Sequence, residues 1–228
     1  MQGQQMITSF KQYYDKITNL AAPGYKPAEI LLFLNNAQDE FIRNLVFGTD
    51  NQPLASDHIQ RRAADLRPII GRSLQVPTGP ISGLYNEWQV ALEDITDFQY
   101  LLSAQVKLTR TNYPIVASAE FMPAKIVDSM EWQSFQGGVV SNRMILHKIP
   151  LLVEEPNLKL TVDEYTTPTQ VNVNYTKIPT PIENSAIIPD LSVHTHQLIV
   201  DIAVRQALAT SQDKRWQSQV AEQQIKSA

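Results

Sequence analysis

The chain has 228 residues, with 14 prolines, 8 glycines, no cysteine, and 19 basic against 23 acidic side chains for a net charge of −4. That length suits one large domain, or one domain with an appendage, at roughly 100–200 residues per domain; an apolar fraction of 43% supports a real core and argues against wholesale disorder. The missing thiols exclude a disulfide framework, a thiolate metal site and a cysteine nucleophile, and the acidic balance argues against a protein that coats nucleic acid.

No window approaches the roughly 18–20 apolar residues that cross a bilayer. Residues 1–9 are Gln-rich, with no basic residue before the first apolar ones, so the expectation is a soluble chain without a secretion signal and without a membrane partner. In chain order, Phe10, Tyr14, Ile17 and Leu20 fall at helical spacing and predict a helix over residues 7–20, ended by Ala22-Pro23-Gly24. Ile30, Leu34, Ala37, Phe41 and Leu45, widened by Leu31, Gln38 and Ile42, predict a second helix over residues 27–47. Pro27 suits its first turn and Gly48 its stop. A third, shorter helix is expected to open at Ser56 or Asp57 and run to Leu66, where Pro68 ends it. Residues 67–85, punctuated by Pro68, Gly71, Pro77, Gly79, Pro80 and Gly83, read as an irregular connection or short edge strands.

The period then changes to two. Phe98, Tyr100, Leu102, Ala104, Val106 and Leu108 alternate with polar residues, Leu101 being the exception, and predict a long strand with one buried face. Residues 127–135 predict a short helix capped by Asp128 and ended by Gly137-Gly138. Leu158, Leu160 and Val162 form a second alternating run and Val171, Val173 and Tyr175 a third; Thr166-Thr167-Pro168-Thr169 between them suggests an antiparallel hairpin. Pro179, Pro181 and Pro189 lead back to a helix from His194 to about Ser211, apolar on more than one face and therefore covered on more than one side. Residues 212–228 are polar, with Trp216, Val220 and Ile225 as their large apolar groups, and would make a marginal helix alone. The expected fold class is α+β: a helical bundle formed by the N- and C-terminal helices plus a small antiparallel β-sandwich or barrel. The corresponding divisions are residues 1–66, 67–190 and 191–228.

No catalytic constellation stands out. His194 and His196 form an H-x-H pair able to share a metal on extended backbone. They sit at a helix start, however, no third ligand lies at a fixed short distance, and a structural zinc wants four, so a polar helix entry is the simpler reading. His58 and His147 are isolated. Asp39-Glu40 would point about 100° apart on a helix and Glu154-Glu155 to opposite sides of a strand, so neither makes a dyad. No G-x-S-x-G, Walker A or G-x-G-x-x-G sequence is present, and no cofactor is expected. Asn174-Tyr175-Thr176 matches a glycosylation acceptor but reads as a strand triplet. Arg61, Arg62, Arg67 and Arg72 form the one basic cluster, suited to Asp57, Asp65 or a partner's acidic surface more than to phosphate. Few charges, many prolines and abundant Gln and Asn suit a chain covered by neighbours. The candidate interface residues are Tyr13 and Tyr14 of the N-terminal helix, Arg61 and Arg62, and Trp216, Val220 and Ile225 of the tail.

Four segments in order carry a family likeness. "LLFLNNAQDEFIRNLVFG" resembles the opening helices of head-to-tail connector (ring or adaptor) proteins of short-tailed phages, above all crAss-like phages. "YPIVASAEFMPAKIVDSMEWQSF" is similar to their strand leading into a short helix with an acidic start. "VNVNYTKIPTPI" resembles their last strand with its Y-x-K-x-P ending, here Tyr175, Lys177 and Pro179. "IPDLSVHTHQLIVDIAVRQALA" resembles their closing helix, carried by Ile188, Pro189, His196, Ile199, Val200, Asp201, Ala203 and Val204. The likeness spans residues 7–212 except 137–156, which do not align, and the closing motif carries an extra H-x-H step. It implies a non-enzymatic virion subunit. The homo-oligomeric ring, typically of twelve copies, would stack beneath the portal protein, dock an adjacent ring or tail protein, and pass genomic DNA through its lumen without specific binding.

Overall fold

The computed structural model describes residues 1–18, 24–48, 64–81, 87–110, 121–136, 149–162, 166–184 and 190–210. The chain is mixed α+β and divides into two compact units, Met1–Ile69 with Pro179–Ala228, and Ile70–Ile178.

In the first unit, helix α1 (Gly3–Thr18) buries Met6, Ile7, Phe10 and Tyr14, a three- and four-residue stripe that faces one side of a helix. Helix α2 (Pro27–Phe47) has the bounds its periodicity predicts. Its start is fixed by the Glu29 carboxylate, which accepts the Lys26 backbone N–H at 2.7 Å, and its end by Gly48, whose φ of 86° is left-handed backbone that favours glycine. Phe10 and Tyr14 stack at 5.9 Å between ring centroids, and Tyr25 and Phe33 complete the aromatic cluster. Asn35 holds the proline-rich return segment to α2: its side chain accepts the Ile182 N–H at 2.7 Å and donates to the Ile182 carbonyl at 3.2 Å. A 3-10 turn (Val193–Thr195) leads into the last helix, here α4 (His196–Thr210), which packs against both α1 and α2. Ile199, Val200, Ile202, Ala203, Val204, Ala207 and Leu208 are buried, so an apolar surface on several faces is met by two neighbouring helices. The short helix expected from Ser56 or Asp57 lies outside the described residues apart from 64–66, which are helical.

The second unit is a curled, seven-stranded half-barrel. Its strands are β1 (Ile70–Gln75), β2 (Glu87–Ala91), β3 (Phe98–Arg110), β4 (Phe121–Val127), β5 (Ile149–Glu154), β6 (Asn157–Thr161) and β7 (Thr166–Lys177), in the order β1-β7-β3-β4-β5-β6-β2. One core joins them, built from Val90, Ala104, Val106, Ile149, Leu151, Leu158, Leu160, Val171, Val173 and Tyr175 with others. Pro123 is the last residue of β4 paired with β3, and Ala124 the first paired with β5; a residue without an N–H suits that change of partner. At the other end, Thr78 and Gln89 exchange backbone hydrogen bonds of 2.8 and 2.9 Å, and the Ile81 N–H reaches the Glu87 carbonyl. The chain just after β1 therefore lies along β2.

Three expectations need correction. β6 and β7 do not form a hairpin: β6 pairs with β5 and β2, and β7 with β3 and β1. Thr166-Thr167-Pro168-Thr169 belongs to β7 itself, extending it to match the long β3, and Pro168 is tolerated because the β3–β7 register shifts there. The sheet is not wholly antiparallel, since β4 and β5 run parallel, an arrangement that needs the long crossover through helix α3 (Ser129–Gln136). Asp128 does cap that helix, its carboxylate accepting the Glu131 N–H at 2.7 Å. Finally, Leu101 is no exception to the buried face of β3. A register shift between Leu101 and Ser103 moves the phase by one residue, so Phe98, Leu101 and Leu108 pack against the core, where even-numbered residues alone were expected.

Candidate docking surface

Strand β1 reverses the pattern of its sheet. Its inward positions hold Gly71, Ser73 and Gln75, opposite Tyr175, Val173 and Val171 of β7, and the Gln75 amide donates to the Ser73 hydroxyl at 2.7 Å. Its apolar residues stand on the other face: Ile70 is 41% exposed, Leu74 55%, and Val76, just beyond the strand, 72%. In β6 and β7 the apolar residues of the alternation point into the core. Because side chains alternate with period two, a one-residue slip would turn this row inward.

Close approach to an aromatic ring holds the register. A Cβ at Gly71 would lie 2.4 Å from Cζ of Tyr175, so glycine alone fits beneath that ring, and a slip would bring Ile70 or Arg72 there. The ring itself is tied down. The Tyr175 hydroxyl donates to Asp97 Oδ1 at 2.7 Å, Lys177 lies 3.6 Å from Asp97 Oδ2, and the Asp97 carbonyl accepts the Ile178 N–H. Burial first, then the Asp97 carboxylate, pushes the Tyr175 phenol up to about 12, so it remains a donor across the ordinary pH range.

Around the row the outer face of the sheet is polar. Arg72 Nε donates to Asn174 Oδ1 at 3.0 Å, and the Asn174 amide donates to the Ser103 hydroxyl at 2.9 Å, giving a hydrogen-bonded line across β1, β7 and β3. The Nη groups of Arg72 make no hydrogen bond or ion pair among the described residues. There, β1 also pairs with β7 alone, so one edge carries backbone groups, an apolar row and a guanidinium together.

Of the residues singled out from sequence, Tyr13 is 45% exposed on α1. Tyr14 is a correction to the interface set: it is 2% exposed and stacked on Phe10, because it continues the Met6–Phe10 stripe into the core. Arg61, Arg62, Trp216, Val220 and Ile225 lie outside the described residues, as do His58 and His147. Arg67 is exposed. Asp65, suggested as a partner for the arginines, instead lies 2.6 Å from His194 Nε2. Glu40 accepts from Gln206, and Glu154 pairs with Lys159.

The two histidines do not converge. His194 is exposed against Asp65. His196 is fully buried, with Nε2 on the Leu191 carbonyl at 2.9 Å and Nδ1 facing the Met1 amine. Both of its nitrogens are engaged, and no group of three or more potential metal ligands occurs among the described residues. Burial above all, then the positive charges of the Met1 amine and His194, holds the His196 imidazole below its ordinary value, against the pull of the Leu191 carbonyl. The native state therefore resists a proton that the unfolded chain takes up at about pH 6.5. His196 adds stability above that pH, and the contribution falls as pH drops from about 6.5 towards the depressed native value. Chemical denaturation at pH 7.5 and pH 5.5 is expected to show lower stability at the acidic pH, with a shallower difference in His196→Gln; an equal slope in both proteins would contradict this.

Sequence reasoning missed Ile70, Leu74 and Val76 as a surface, and Gly71 and Asp97 as its supports. The alternation of Ile70, Leu74 and Val76 with Gly71, Ser73 and Gln75 was a readable signal; the direction in which it faces was not. No protein-family model matches the chain, and no curated protein matches it significantly.

Proposed function

We propose that the chain is a structural virion subunit: a connector between portal and tail of a short-tailed phage, assembled as a ring with a channel for DNA. The observation that carries this reading is the outward apolar row of β1, held in place by Gly71 beneath Tyr175, since a fold that fixes apolar side chains towards solvent at a sheet edge is suited to assembly. The four ordered motifs supply the phage context. Their Tyr175 and Lys177 are the residues gathered on Asp97, and their Asp128-started helix and closing helix coincide with α3 and α4.

A net charge of −4 suits a lumen through which duplex DNA slides, because phosphate contacts from a basic wall would retard it. A heterologous contact repeated by rotation closes into a ring when the angle allows. The finer architecture, a bundle of α1, α2 and α4 with a β-sandwich or barrel, belongs to the same proposal. So do the portal protein and a neighbouring ring or tail protein as partners, and residence in the virion after assembly in the host cytoplasm. Silencing expression of the chain during infection tests the role: DNA-filled heads without tails are expected, whereas a normal yield of tailed particles would overturn it.

A further inference from the structure

We propose that β1 docks an extended segment of a different neighbouring subunit by strand addition, and that this segment carries an acidic side chain between apolar ones. The inference rests on the assembly reading and specifies its chemistry. β1 pairs with β7 alone among the described residues, so an added strand finds backbone donors and acceptors at its other edge. Same-face neighbours in paired strands lie about 5 Å apart, so the newcomer's outward residues would stand beside Ile70, Arg72 and Leu74, with Val76 just beyond the strand, before Thr78 is taken by Gln89 of β2. Three of those four positions are apolar and exposed, and they reward aliphatic partners. The fourth is a guanidinium whose Nη groups are unengaged among the described residues, and it rewards a carboxylate.

Laterally the patch ends at β7, where Asn172 and Asn174 stand opposite Leu74 and Arg72, which confines apolar contact to β1 and the one strand added beside it. A second β1 is a poorer occupant. In antiparallel self-pairing centred on Arg72, like charges oppose each other, which is destabilising; the alternative centred on Ser73 places each Arg72 beside Leu74 and supplies no counter-charge.

The probe is a fluorescein-labelled synthetic peptide, Gly-Ser-Ile-Thr-Val-Thr-Glu-Thr-Ile-Ser-Gly, with a twin carrying lysine in place of its glutamate, titrated against the full chain by anisotropy. The glutamate peptide is expected to bind, and more tightly than its twin. Arg72→Glu should weaken it by up to about tenfold and reverse the preference. Leu74→Lys should weaken both peptides, while Leu74→Thr, a strand-compatible control, keeps the fold by circular dichroism and loses less. No binding, or equal binding by all variants, would overturn the proposal. So would concentration-dependent self-association abolished by Leu74→Lys without peptide binding, which would assign the edge to a second copy. If tails are lost on silencing but the peptide does not bind, this inference fails and the assembly role stands; if the peptide binds but particles form normally, the role fails and the docking edge stands.

Discussion

Gly71→Ala is expected to destabilise the strand-rich unit by roughly 1–3 kcal/mol, the range for forcing extra volume into a packed site. The added methyl would meet Cζ, Cε2 and the hydroxyl of Tyr175 at 2.4–2.8 Å. The ring cannot simply step aside, because its hydroxyl is bonded to Asp97 and its edge packs against Phe98 at 5.7 Å between centroids. Either β1 leaves β7 or the Tyr175–Asp97 bond breaks. Urea denaturation reads the loss, and amide exchange distinguishes the two routes, since loss of β1 exposes its own amides and those opposite in β7. Tyr175→Phe alone should cost about 1 kcal/mol, the net value of one hydrogen bond. The double variant Gly71→Ala, Tyr175→Ala should be more stable than the sum of its parts predicts, because removing the ring removes the clash. Strict additivity would show that Gly71 does not act through Tyr175.

Leu160→Ala should cost more, about 2–5 kcal/mol, because it leaves a cavity in the shared core. Leu160 is fully buried and lies in register between Trp88 of β2 and Leu151 of β5, so three strands lose packing together. A fall in the denaturation midpoint at unchanged slope is expected. A change below 0.5 kcal/mol, as an order-of-magnitude surface value, would mean that β6 does not face this core.

The chain's local order was legible where one periodic face meets one neighbour. α2 follows from its stripe, from Pro27 and from Gly48; α3 from Asp128; β6 and β7 from alternation. Pairing was less legible, because strand partners are chosen by length and by non-local packing. β7 extends through Pro168 to match β3, a choice that short-range turn chemistry at Thr166-Thr167-Pro168 does not reveal. β2 and β5 have no counterpart in the residue patterns, and β4 only in the segment that resembles a strand leading into an acidic-started helix. β2 is five residues long, β4 carries Pro123 where its partner changes, and β5 is a continuous apolar run around Pro150, so none shows clean alternation. Tyr14 belongs to the core stripe that its spacing from Phe10 marks, and not to the exposed face of α1 that Tyr13 occupies. The inversion of β1 depends on a clash between Gly71 and a residue more than one hundred positions away, and no local window contains that information.

If the proposed role holds, β1 is covered by a neighbour in the assembled particle and bare in the free chain. Hydroxyl-radical footprinting of Ile70, Leu74 and Val76, in the purified chain and in mature particles, measures that most directly. Strong labelling of Leu74 and Val76 is expected in the free chain and protection of all three in the particle, with Tyr14 protected in both. Equal labelling of β1 in the two states, or absence of the chain from the particle, would contradict it.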